Sequence, residues 1–120
     1  MKREISFRGK SKRTGEWVFG NLFDKDTKGR THIGTTVRRC FDIDPETVGQ
    51  YTGIDDREGE KIFEGDIFKI GAENNIYTVR FDYGCFLAYE DDVQVGILAE
   101  LSTMFIKKIG NIHDNKELLK

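Results

Sequence analysis

The chain has no apolar run near the length of about 18 residues that a membrane-spanning helix needs, and the cations at its start lead into a charged stretch instead of the apolar core of an export signal. Neither a membrane span nor a secretory leader is therefore expected. Cysteine is scarce: Cys40 and Cys85 lie far apart without a C-x-x-C partner, which argues against a disulfide framework and a thiolate zinc site. Two reduced, largely buried thiols acting as small hydrophobes are expected instead. His32 and His113 are isolated, with no second histidine or cysteine at metal-ligand spacing, so they read as strand or surface residues. The single proline, Pro45, excludes a proline-rich linker, and neither an internal repeat nor a low-complexity tract is seen. There is no nucleophile elbow, phosphate loop or dinucleotide fingerprint, and no cofactor or metal is expected. A net charge of -2 gives no global attraction to nucleic acid or anionic lipid, so any such binding must come from a local patch.

What is present is glycine, 13 residues of it, with 12% aromatic and 33% charged residues in a chain of 120. That balance fits a small β protein with a thin core and a wetted surface. Ile5 to Arg8 alternates as a first strand, and a basic turn over Gly9 to Gly15 leads into Glu16 to Phe23 as a hairpin partner, Trp17 and Phe19 sharing one face as core residues would. Thr31 to Ile43 carries the β-branched residues of one or two more strands. Asp44-Pro45-Glu46-Thr47-Val48-Gly49 reads as a single helical or 3₁₀ turn, with Asp44 as N-cap, Pro45 at the first position and Gly49 as its stop. Tyr51 to Ile54, Ile62-Phe63 and Ile67 to Ile70 are strand material around a polar turn from Asp55 to Glu60. Gly59 is assigned positive φ there, and Gly65-Asp66 a bulge or second tight turn.

Further on, Ile76 to Asp82 alternates cleanly, and Tyr83-Gly84 turns it into Cys85 to Tyr89, giving a three-stranded meander with Phe68 onward. Val93 to Leu101 is ambiguous between strand and helix. Met104 to His113 reads as a closing strand bent at Gly110, and Asp114 to Lys120 as a short helical tail capped by Asp114 or Asn115. The fold class expected is mainly β: a small antiparallel sheet or partly open barrel with a short helical turn and a short C-terminal helical tail. One domain over 1–120 is expected, with two β lobes of about 1–45 and 46–113 sharing one core as the alternative.

The string DPETVGQYTGIDDREGEKIFEGDI from Asp44 to Ile67 resembles the signature of the YopX family, small proteins of tailed bacteriophages and prophages. ISFRGKSKRTGEWVFG from Ile5 to Gly20 and IGNIHDNKELL from Ile109 to Leu119 extend the resemblance over nearly the whole chain. It implies a predominantly β protein of the bacterial cytoplasm, encoded by phage or prophage. It carries over no catalytic residue.

Two charged segments are the candidate sites. Lys2, Arg3, Arg8, Lys10, Lys12 and Arg13 face one anion, Glu4, just before Trp17 and Phe19. Arg8, Lys10, Lys12 and Arg13 could track a phosphate backbone while Trp17 stacks a base. The same residues also read as a solvated turn whose arginines cover apolar edges. From Asp42 to Asp66 nine carboxylates outnumber Arg57 and Lys61, but most fall in turns and lack the spacing of a calcium loop. Asp44, Pro45, Gly59, Gly65 and Asp66 are therefore read as turn residues, Asp66 bonding the turn backbone. The leading functional reading is a non-catalytic accessory protein that binds a host or phage protein. Nucleic-acid binding through the basic segment is the alternative, and a carboxylate-dependent enzyme using Asp66 or Glu64 comes third. Sheet edges leave room for homo-oligomerisation, and no membrane partner is expected.

Overall fold

The alternation from Phe7 to Phe23 forms a hairpin in the computed structural model, which describes residues 3–119; Lys2 of the basic segment and Lys120 of the tail lie outside the described residues. The chain divides into two compact units, Met1–Tyr51 and Thr52–Lys120. That division falls inside a strand, later than the lobe boundary expected near residue 45. Both units are antiparallel β structure, and the described residues form two sheets and no closed barrel.

In the first unit β1 (Phe7–Lys10), β2 (Trp17–Phe23), β3 (Thr31–Thr36), β4 (Arg39–Ile43) and β5 (Gly49–Asp55) lie in the order β4-β3-β2-β1-β5. β1 begins at Phe7, two residues after the expected start. Ile33 and Ile43 are fully buried. The turn Pro45–Thr47 is a 3₁₀ turn capped by Asp44, whose Oδ1 accepts the Glu46 N–H at 3.1 Å. The Thr47 hydroxyl donates to Asp44 O at 2.7 Å and accepts the Lys10 N–H at 2.8 Å, so one side chain pins the turn to β1. Core placement of Phe19 is corrected: it is 56% exposed, and Trp17 is half-buried.

In the second unit β5 continues through Thr52–Asp55, with β6 (Lys61–Phe63) beside it, and the Thr52 hydroxyl donates to Ile62 O at 2.8 Å. The remaining strands are β7 (Asp66–Ile70), β8 (Tyr77–Asp82), β9 (Cys85–Glu90), β10 (Val93–Ile97) and β11 (Ile106–Asn111), ordered β10-β9-β8-β7-β11. β7, β8 and β9 form the expected meander, turned by Tyr83 and Gly84 at φ 54 and 78. The ambiguous stretch is both things in sequence: strand β10, then one helical turn, α1 (Leu98–Leu101). β11 returns to pair with β7, Ile109 being the extra residue between Lys108 and Gly110. Ile62, Phe68, Val79, Ala88, Leu98 and Ile106 make the core, each almost wholly buried. Burying each large apolar side chain contributes about 1.5–3 kcal/mol before entropy is charged against it.

Two expectations are adjusted by side-chain geometry. Asp114 and Asn115 were candidate caps for the tail, but the reversal is shared with Asn111, whose Oδ1 accepts the N–H groups of His113 and Asp114 at 2.9 Å each. Asn115 Oδ1 accepts the Asn111 N–H in return, and among the described residues of the tail Lys116–Leu119 is helical, as a 3₁₀ turn. Cys40 and Cys85 are free thiols but half-buried, not largely buried; they point their hydrogens at Val37 O and Asp82 O.

Candidate functional site

The family-like stretch from Asp55 to Asp66 is a hydrogen-bonded frame. Asp56 Oδ1 accepts the N–H groups of Glu58 at 2.8 Å and Glu60 at 2.9 Å, closing the turn in which Gly59 takes φ 83. Its Oδ2 accepts the Lys108 N–H at 3.0 Å, tying the turn to β11. Burial pushes the Asp56 carboxyl up, but these backbone donors and the Lys108 charge outweigh it and hold the group below the usual carboxylate range. Gly65 takes φ 92 in the turn between β6 and β7, and Asp66, ten residues after Asp56, is fully buried. Asp66 Oδ2 accepts the Phe63 N–H at 2.7 Å and pairs with Lys108 Nζ at 3.2 Å. The ammonium also donates to Lys61 O at 3.0 Å and lies 5.8 Å from the Phe63 ring centroid. Carboxylates held this way are consumed by structure. Lys108, which completes the frame from 42 residues beyond Asp66, has no local signal in the sequence.

The basic segment is not one open patch. Arg8 and Lys10 stand opposite Phe19 and Trp17 across the hairpin, so all four share a face. Arg8 is 3% exposed with its guanidinium 4.6 Å from the Trp17 ring centroid, and Lys10 Nζ is 5.4 Å from it. Lys12 and Arg13 are exposed in the following turn, their segment closed by Ser11 Oγ accepting the Arg13 N–H at 3.2 Å. The two units differ in sign: residues 1–51 hold eleven Lys and Arg against seven Asp and Glu, residues 52–120 eight against fourteen, or +4 and -6.

A hollow of about 370 Å³ in the first unit is lined in part by Asp26, His32 and Cys40. Asp26 is committed to its own loop: Oδ1 accepts the N–H groups of Lys28 and Arg30, and Oδ2 takes the Arg30 guanidinium at 2.8 Å. The Arg30 backbone donor leads in holding its pKa at about 2. The Cys40 thiol spends its proton on Val37 O, and His32 stands 3.9 Å from Asp26, beyond a hydrogen bond, so no nucleophile–base pair is assembled. Among the described residues no group of three His, Cys, Asp or Glu side chains is placed to hold a metal ion. Because the folded pKa lies below the ordinary 3.8, Asp26 stabilises the fold above that pH and loses its contribution as pH falls towards 2. Its carboxyl ¹³C resonance is expected to titrate near pH 2; a midpoint near 3.8 would show that the loop does not hold it.

The second unit offers two open features. β10 is the last strand of its sheet, and among the described residues its outer edge makes no backbone hydrogen bond. Val93, Val95 and Ile97 along it are 65%, 41% and 40% exposed. Val95 is also the extra residue of a bulge opposite β9. Next to the β9–β10 turn is a cavity of about 380 Å³, with Thr78, Arg80, Asp91 and Asp92 on its walls. Arg80 Nη2 donates to Asp92 Oδ1 at 3.0 Å and Asp91 O at 3.3 Å, and its guanidinium lies 4.3 Å from the Tyr89 ring centroid. The Tyr89 phenol donates to Asp82 Oδ2 at 2.8 Å, and that bond, with burial and the neighbouring charge, raises its pKa. The V-x-V-x-I spacing of β10 was visible in the sequence. The cavity was not, because its walls come from residues 76, 78–80, 91–92, 112 and 119.

The family model described as YopX protein matches residues 6–120. Comparison with curated proteins gives no match. Among solved structures, the crystal structure of protein EF1440 from Enterococcus faecalis resembles this chain with a TM-score of 0.60 and 23% identity, covering 99% of this chain and 100% of that one. At that identity the likeness speaks to the fold.

Proposed function

The chain belongs to the YopX family, and on that premise we propose that it is a phage- or prophage-encoded, non-catalytic binding module of the bacterial cytoplasm that takes an extended segment of a host or phage protein onto β10. The open edge of β10 carries this reading: a row of backbone N–H and C=O groups without strand partners among the described residues, accompanied by three exposed apolar side chains. An extended peptide can add there through main-chain hydrogen bonds, with side-chain contacts supplying selectivity. The Val95 bulge interrupts the flat run that two copies would need for indiscriminate edge pairing. Buried, backbone-bonded Asp66 and Asp56 argue against acid–base chemistry at the acidic stretch. Arg8, buried and set against Trp17, weakens the basic hairpin as a phosphate track. No helix among the described residues is long and apolar enough to cross a membrane.

The test is capture of the tagged chain during phage growth, with and without nuclease, beside Val93→Lys/Val95→Lys. A nuclease-resistant partner should be lost from the variant while its melting temperature stays within a few degrees of wild type, because both positions are exposed. Amides of Val93 to Ile97 should gain hydrogen-exchange protection in the wild-type complex. A partner retained by the variant, or capture abolished by nuclease, would sink the edge-strand reading.

A further inference from the structure

The surroundings of β10 select what can lie along it, and we propose that the added segment is basic at both ends and aliphatic in the middle. This inference rests on the strand-addition reading and supplies what that reading leaves open, the chemistry of the partner. From Phe81 to Ile106 the chain has five carboxylates, Asp82, Glu90, Asp91, Asp92 and Glu100, and no lysine, arginine or histidine. That stretch holds all of β9, β10 and α1. Two of the five are occupied: Asp82 accepts the Tyr89 phenol and Asp92 the Arg80 guanidinium. The carboxylates of Glu90, Asp91 and Glu100 have no hydrogen bond or ion pair among the described residues.

Their positions bracket the open edge. Glu90 and Asp91 stand at the turn that opens β10, where Val93 pairs with Glu90. Glu100 stands in α1, just past the other end, and that helical turn folds back on the strand: a Cβ built on Gly96 would meet Leu101 at 3.8 Å. Asp91 and Glu100 are exposed, as are Val93, Val95 and Ile97 between them. The 5 residues of β10 span roughly 16 Å, so an added segment of similar length meets carboxylates at either end and aliphatic side chains between. Cations at its ends gain from that field, whereas anions are repelled. A second copy of the chain is disfavoured for the same reason. Antiparallel pairing of two β10 edges would set Glu90 and Asp91 of one copy beside Glu100 of the other, like charge against like. The occupant is therefore a segment of a different polypeptide.

Amide NMR of the full chain tests this with two extended probes that differ only in their end residues, acetyl-Lys-Val-Thr-Val-Thr-Val-Lys-amide and the same peptide with glutamate at both ends. The lysine peptide should shift the amides of Val93 to Ile97 saturably. At low salt it should bind at least about fivefold tighter than the glutamate peptide, the margin closing in about 0.5 M sodium chloride as the charges are screened. Asp91→Asn/Glu100→Gln should remove most of that margin while keeping the spectrum of the folded chain, since both residues are exposed and asparagine tolerates the φ of 54 at position 91. Equal binding of the two peptides, or a margin that the double variant keeps, would overturn the basic partner and leave strand addition standing. No saturable shift of the β10 amides with either peptide would overturn strand addition, and this inference with it. Shifts of those amides that grow with the concentration of the free chain alone would make a second copy the occupant and overturn the basic partner likewise.

Discussion

Asp66→Ala is expected to destabilise the second unit by about 3–5 kcal/mol, the largest effect of any single substitution considered for this chain. The carboxylate is fully buried, and its removal would strip the acceptor from the Phe63 N–H and the counter-charge from Lys108. Lys108 is itself only 21% exposed at its side chain, so its ammonium could not recover full hydration without leaving Lys61 O and the Phe63 ring. Asp66→Asn keeps an acceptor for Phe63 but not the charge, and should fall between wild type and alanine. Urea unfolding followed by the near-ultraviolet signal of the core tyrosines gives the numbers. An alanine variant within about 1 kcal/mol of wild type would show that the pair is incidental, in the way exposed ion pairs are.

Gly34→Ala should be the corresponding lesion in the first unit, costing about 3 kcal/mol, at the upper end of overpacking. A methyl group there would run into Arg39 O and come within 2.5 Å of the Cys40 Cα, both backbone atoms of the neighbouring strand. On the other side Gly20 already lies against Gly34, so close that its own added Cβ would be 2.7 Å from Gly34 O. β3 is thus held between two strands at van der Waals limits and has nowhere to retreat. Backbone cannot rotate away as a flexible side chain can. Hydrogen exchange should locate the damage, with protection lost across β2, β3 and β4. Retained protection there, with wild-type stability, would show that the sheet can open to admit a methyl at little cost.

Much of the architecture was legible because alternation and turn chemistry are local. The meander around Tyr83-Gly84, the capped turn at Asp44-Pro45 and the positive φ of Gly59 all follow from residues within a few positions of one another. Phe19 was misjudged for the same reason: alternation reports that two residues share a face, not whether that face is covered. Lys108 and Asn111 escaped because their partners are chosen by how β11 returns to β7. The cavity's polar wall escaped similarly, since nothing near Thr78 in sequence announces that Asp91 and Asp92 will line the same cavity.

The return of β11 also sets an order of events during synthesis. Every strand from β1 to β5 has its neighbours within the first unit's residues or just past them, so that sheet can form early on a nascent chain. The other sheet cannot. β7 gains its partner on that side, and Asp66 its counter-ion, only when residues 106–111 have left the ribosome. Until then Phe68 and Val79 lack Ile106 against the core they share, and a buried-to-be carboxylate waits in water. Translation speed across residues 70–105 therefore governs how long that half of the molecule presents an unfinished apolar surface to the folding machinery of its host.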